Sequence, residues 1–164
     1  MKIGIIGAGN IGSALATRLC ELGHEVSIAN SRGPDTLREL EAQTGATAVT
    51  AREAARDKDV VVVTIPQKNV PELPEDLFAG VPPETVVVDT GNYYPRHRDG
   101  RIEPIEQGAP ESAWVAEQLG RPVVKAFNNI YAQHLRDHGR PAGAEDRIAL
   151  PVAGDDERAK STVM

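Results

Sequence analysis

The sequence predicts a doubly wound α/β fold, a mostly parallel sheet with helices on both faces. Three observations predict it. Short apolar runs alternate with stretches of helical periodicity along nearly the whole chain, as they do when each strand returns through a helix. The runs 60–65 and 85–89 are β-branched and apolar at almost every position, so they suit strands buried on both faces. And Ile3–Ile6 runs into Gly7-Ala8-Gly9-Asn10-Ile11-Gly12 and then an amphipathic stretch, a strand–turn–helix unit whose glycines stand where such a turn needs them.

Each element follows in order. Ile11, Ala14, Leu15, Leu19 and Leu22 recur at helical spacing, and Gly23 stands where a helix C-terminus favours a residue with positive φ. Glu25–Ala29 is the second strand. Pro34 suits a helix start, and Leu37, Leu40 and Glu41 carry that helix to about Gly45. A weak strand is predicted at 46–49, and Thr50 caps a short helix to about Asp57. Val60–Ile65 ends at Pro66. A proline-rich segment with one helix leads to the strand at 85–89, and a polar loop runs from Gly91 to Pro110. A helix at 111–119 closes on Gly120. A strand at 122–126, a helix at 130–138 and a strand at 147–153 follow, and a helix begins near Asp155.

At 164 residues the chain is the size of one domain. Residues 1–164 are therefore expected to form a single dinucleotide-binding domain, C-terminally incomplete because a helix is only starting as the sequence stops. The length leaves no room for a full-sized separate substrate domain. Apolar residues make up 40% and charged residues 26%, which argues against disorder, collagen and coiled coil. Lys and Arg total 18 against 24 Asp and Glu, a net charge of -6. That balance disfavours nucleic acid and anionic membrane as partners. No apolar run approaches the ~20 residues of a membrane helix, and no leader is expected ahead of the first strand. The single cysteine, Cys20, fits a reducing, cytoplasmic setting. The expected partners are a small-molecule substrate and a second copy of the chain in a possible homodimer.

The glycine turn carries the first functional expectation. Gly7 makes the tight turn, Gly9 lets a pyrophosphate approach the backbone, and Gly12 lets helix and strand pack closely. The helix N-terminus then offers free N–H groups to phosphate. A nicotinamide dinucleotide suits this best. A flavin dinucleotide, another nucleotide, or a turn that binds nothing remain as alternatives. The end of the second strand separates the dinucleotides. An NAD site places Asp or Glu there, about 20 residues past the glycines, to hold the ribose 2′-hydroxyl. Here Asn30 stands 23 positions after Gly7, followed by Ser31 and Arg32. A neutral residue, a hydroxyl and a guanidinium suit the 2′-phosphate of NADP(H), since Arg forks two bonds to phosphate oxygens. The alternative for Arg32 is a solvated loop arginine.

Other candidates sit after later strands, where ligands of doubly wound sheets bind. Ile65-Pro66-Gln67 follows the central strand, with Pro66 either against the cofactor or merely ending the strand. Asn92 is a hydrogen-bonding group for the nicotinamide end, with Tyr93 and Tyr94 as an apolar wall. Ala126 leaves room for a flat ring and Phe127 bounds the pocket, while Asn128 and Asn129 equally suit a helix cap. Arg96, His97, Arg98 and Arg101 form a basic cluster that faces an anionic substrate or only solvent. His134 and His138 share a helical face but lack the glutamate of an HExxH zinc motif, so no metal site is expected. No catalytic side chain stands out, as is expected when a cofactor carries the chemistry.

The stretch MKIGIIGAGNIGSAL…GHEVSIANSRGP at 1–34 resembles the deazaflavin (coenzyme F420)-dependent NADP oxidoreductases. It is also similar to the related oxidoreductase domain of six-transmembrane ferric reductases. VVVTIP at 61–66, VVVDTGNYY at 86–94 and VVKAFNNI at 123–130 extend the likeness over nearly the whole chain. GAGNIG alone is shared with pyrroline-carboxylate reductases and β-hydroxyacid dehydrogenases, which carry a large helical second domain. The resemblance implies a Rossmann domain in which Gly7, Gly9, Asn10 and Ile11 hold the pyrophosphate, and Ala8 of the same turn is expected in the cofactor site with them. The resemblance places Ser31 and Arg32 at the 2′-phosphate, beside the Asn30 that ends the second strand, and Ile65, Pro66 and Ala126 beside the nicotinamide. It further implies an NADP(H)-dependent oxidoreductase passing hydride directly between stacked rings, with a deazaflavin, flavin or related acceptor as second substrate. The alternative is a non-catalytic NADP(H)-binding sensor.

Overall fold

The computed structural model describes residues 1–164. Its six strands are β1 (Lys2–Ile6), β2 (Glu25–Ala29), β3 (Thr47–Ala48), β4 (Val60–Val63), β5 (Val86–Asp89) and β6 (Val124–Lys125). They form one sheet in the order β3-β2-β1-β4-β5-β6, and every pair is parallel. This is the doubly wound Rossmann order, with its switch point between β1 and β4. The helices are α1 (Asn10–Glu21), α2 (Arg38–Thr44), α3 (Ala51–Ala55), α4 (Glu103–Glu106), α5 (Glu111–Leu119), α6 (Ala132–Asp137) and α7 (Glu157–Val163).

Strand periodicity distributes the aliphatic residues to two cores. Ile3, Ile5, Val60, Val62, Val86 and Val88 point to the face covered by α1, where Leu15 and Ala16 meet them. Ile6 and Val61 point the other way, onto Ala54 and Ala55 of α3. Further along that face, Trp114 and Val115 of α5 pack on Val70. Leu15 is 2% exposed, and burying a side chain of that size contributes about 1.5–3 kcal/mol. α3 begins with a reciprocal cap: Thr50 N donates to Glu53 Oε2 at 2.8 Å, and Thr50 Oγ1 accepts from Glu53 N at 3.4 Å.

Three expectations change. The segment 147–153 is not a strand: only Ala153 pairs, in a single antiparallel bridge to Lys125. Pro151 has no N–H to give a ladder. The helix expected in the proline-rich segment is of the 3₁₀ kind, at Gln67–Glu72, with Pro71 removing a donor inside it. The loop 91–110 is more ordered than expected, holding a π-type turn at Pro95–Asp99 and the short helix α4. No helix is long and apolar enough to cross a membrane.

Candidate functional site

β1 delivers the glycine turn to the carboxyl edge of the sheet. Gly7 has φ +115°, and a Cβ there would collide with the Thr64 carbonyl of the chain just past β4. A Cβ on Gly12 would collide with the Gly7 carbonyl, so α1 can lie this close to β1 only without one. Gly9 differs: nothing lies within 4 Å of where its Cβ would be. It faces open groove, the cradle a phosphate needs. No side chain caps α1 and no acid stands in its first turn. The first bond into the helix is Ser13 N to Gly9 O at 2.8 Å, and the amides of Asn10 and Ile11 donate to nothing in the protein. Free amides and a positive dipole end suit an anion.

The end of β2 is shaped by Asn30. Its Oδ1 accepts from Arg32 N at 2.9 Å, and its Nδ2 donates to Thr36 Oγ1 at 2.9 Å. Thr36 in turn donates to Gly33 O at 2.8 Å. Asn30 therefore builds the loop, which leaves Ser31 and Arg32 exposed with no protein partner for either side chain. Thr36 is a member of this loop that sequence reasoning missed. The Asx-type spacing to Arg32 was a legible signal; the partner six residues on was not.

Two basins join along this edge. The first, about 570 Å³, is lined by Gly7, Ala8, Gly9, Asn30, Ser31 and Arg32, with Asn69 and Glu72 opposite. The second, about 390 Å³, is lined by Asn10, Ile11, Asn92, Tyr94, Arg98 and Phe127. Gly9, Thr64, Ile65 and Pro66 belong to both. The structure thus brings eleven of the thirteen expected residues to one continuous groove. Larger hollows of about 790 and 650 Å³ lie elsewhere, beside α5 and between α1 and α6. They lack both the glycine turn and the loop after β2.

Gln67 and Ala126 are the two exceptions. Gln67 is 1% exposed and turned inward; neither its Oε1 nor its Nε2 has a partner. Ala126 is 1% exposed and belongs to the sheet core and the hollow beside α6. Both come after strand ends as expected, but the 3₁₀ turn that begins at Gln67 carries its amide inward, and Ala126, next after β6, keeps its methyl in the sheet core.

The far wall of the second basin is held by polar ties. Asn92 Nδ2 donates to Asn128 O at 2.7 Å, joining the loops after β5 and β6. Phe127 sits at φ +62°, a conformation costing a non-glycine residue roughly 1–2 kcal/mol and often found beside functional sites. Asn128 reaches the groove while Asn129 is exposed. Tyr93 turns from the groove, its hydroxyl donating to Glu106 Oε1 at 2.9 Å and accepting from Ile102 N at 2.8 Å. Of the basic cluster only Arg98 reaches the groove. His134 and His138 stack ring on ring, 4.5 Å apart and 12° from parallel.

The family model for coenzyme F420-dependent NADP oxidoreductases matches residues 2–93, β1 through the loop after β5. The chain belongs to that family. A hypothetical protein from Sinorhizobium meliloti is similar in structure at TM-score 0.77 and 30% identity, the match covering 99% of this chain and 78% of that one. A protein from Arthrobacter sp. FB24, described as an F420-dependent NADP-reductase, superposes at TM-score 0.77 and 24% identity over 99% of this chain and 77% of its own; it supports the fold. Among curated proteins, a Clostridium botulinum glycerol-3-phosphate dehydrogenase [NAD(P)+] is 25% identical over 147 residues. The chain spans 42% of that relative's length.

Proposed function

We propose that this protein is an NADP(H)-dependent oxidoreductase that passes hydride between the nicotinamide and a deazaflavin, flavin or related acceptor. The observation that carries the NADP(H) preference is the loop after β2. It presents Ser31 and a partnerless Arg32 with no acidic side chain at the strand end, where an acid would repel a 2′-phosphate. The Asn10 and Ile11 amides receive the pyrophosphate, and the open space over Gly9 leaves room for it. Ile65 and Pro66 form the ridge the dinucleotide crosses, and Asn92 and Phe127 bound the nicotinamide end. NADP(H) itself supplies the hydride chemistry. The protein's part is to hold one ring face open to a second flat ring, which asks for no side-chain acid or base.

Titration of the protein with NADPH and NADH, followed by nucleotide fluorescence, tests the binding half. NADPH binding at least tenfold tighter is expected; equal affinities would remove the NADP assignment. Stopped-flow oxidation of bound NADPH by flavins and a deazaflavin tests the catalytic half. Failure with every acceptor would favour a sensor that binds without turnover.

A further inference from the structure

The turn at Pro95–Asp99 is organised by one carboxylate with no exposed side-chain surface, that of Asp99. Asp99 Oδ2 accepts from Tyr94 N at 2.8 Å and Oδ1 from Lys68 N at 3.4 Å. Arg98 forks onto it, Nε to Oδ1 at 3.1 Å and Nη2 to Oδ2 at 2.9 Å. The Arg98 guanidinium is pinned further. Nη2 also donates to Asn92 O, and Cζ lies 5.1 Å from the centre of the Tyr94 ring. The amides of His97, Arg98 and Asp99 all donate to Tyr94 O, so backbone and side chain fix the same residue.

What this leaves open is specific. Arg98 Nη1 donates to nothing in the protein, and the Arg98 side chain keeps 38% exposure at the rim of the second basin. Arg96 on the same segment and Lys68 on the turn after β4 that bonds to Asp99 are exposed and have no acidic partner. Arg101, by contrast, is occupied by Glu103 and Glu106. An oriented nitrogen with unused hydrogens, Nη1, is thus held at the rim of the second basin, in a chain of net charge -6. The Nε–Nη2 edge satisfies Asp99 and the second Nη2 hydrogen goes to Asn92 O; the Nη1 hydrogens are left to donate to an oxyanion.

We infer that Arg98 is a specificity-determining residue for an aromatic acceptor that carries a phosphate or carboxylate group, bound at Nη1. The inference rests on the oxidoreductase reading only for the ligand's role as hydride acceptor; the binding event does not require turnover.

FMN and riboflavin share a ring system and differ by one phosphate. Each is titrated into the NADP⁺-loaded protein and followed by flavin fluorescence. The expected result is FMN binding on the order of tenfold tighter than riboflavin, a preference that shrinks as KCl is added. Arg98→Gln removes the preference by weakening FMN alone, and Arg98→Lys retains part of it. Because Arg98→Gln strips the buried Asp99 of its cation, the double variant Arg98→Gln, Asp99→Asn is measured beside it, with the same expectation. Equal affinity of the two flavins for the unmodified protein, binding of neither, or a preference that survives both variants overturns the inference. So does equal weakening of both flavins, which is the signature of a merely structural arginine. A protein that prefers FMN through Arg98 yet oxidises NADPH with no flavin or deazaflavin counts against the oxidoreductase reading and leaves this one standing. Turnover of riboflavin and FMN with equal kcat/KM does the reverse.

Discussion

Lys125 Nζ lies 2.7 Å from Asp89 Oδ2, and the two residues are register partners at the carboxyl ends of β6 and β5. Both side chains are shielded, at 14% and 4% exposure. Asp89 Oδ1 also accepts from Gly91 N at 2.8 Å, and Glu111 Oε2 stands 3.6 Å from the same ammonium. The pair therefore ties the last two strands together directly beneath the loop that carries Asn92.

Removing one partner of a buried pair leaves the other charged and unsatisfied, a loss of about 3–5 kcal/mol. Lys125→Met should lower stability by that order in urea unfolding. Adding Asp89→Asn should restore most of it, since the orphaned charge is then gone. Equal losses in the single and double variants would show that the pair's charge is not what matters.

Arg32 has no role within the fold, so its removal should be felt by ligand alone. A charge-assisted bond contributes about 1.5–3 kcal/mol, so Arg32→Ala should weaken NADPH roughly 10–100-fold. NADH affinity and melting temperature should hardly move. Asn30→Ala should weaken NADPH as well, but by letting the loop lose the shape in which Ser31 and Arg32 are offered. Titration of both nucleotides with both variants checks the distinction.

Gln67 makes the opposite prediction. Its buried amide has no partner for either polar atom, and unmet buried polar groups cost about 1–3 kcal/mol. Gln67→Met keeps the length and removes the polarity, so thermal stability should stay level or rise. A drop of several degrees in Tm would mean that the amide is satisfied in solution, for instance by a buried water.

Asp99 should make the rim of the second basin acid-sensitive. Burial pushes its pKa up, but the Arg98 guanidinium and the Tyr94 and Lys68 amides outweigh burial and hold it below the usual carboxylate value. A carboxyl with a lower pKa folded than unfolded stabilises fully above its unfolded value, about 3.9. That contribution drains away as pH falls through the lower folded value. The protection of the amides at 94 and 96–99, exchange being taken relative to the intrinsic rate at each pH, should therefore be high at neutral pH and fall selectively below about pH 4. Asp99→Asn should show the low protection at all pH values.

The sheet and the groove were legible because they rest on local chemistry. The runs at 60–63 and 86–89 admit little but buried strands, and Gly7, Gly9 and Gly12 mark a turn that tolerates few other residues. Asn30-Ser31-Arg32 was legible because strand ends in this fold are predictable places. Asp99 was not. It lies in a charged stretch that reads as solvated, and only the return of the chain onto Tyr94 and Lys68 buries it. Gln67 misled for a related reason. Being next to Pro66 brings the backbone to the crevice, while the 3₁₀ turn rotates the amide inward. The 147–153 segment has the aliphatic content of a strand, but pairing is a property of two chains, and Pro151 withholds half of what a neighbour would need.

The ridge of Thr64, Ile65 and Pro66 divides the groove while belonging to both halves. Such a partition makes the ligand's affinity separable. On the proposed NADP(H) reading, adenosine 2′,5′-bisphosphate should occupy one side only and nicotinamide mononucleotide the other, so each fragment would report its own side's contribution. The covalent linkage across the ridge then acts as a tether that raises the effective concentration of the second fragment, to the millimolar range for short links. The product of the two fragment affinities, set against that of the intact dinucleotide, measures how well the spacing of the two basins matches the molecule that bridges them.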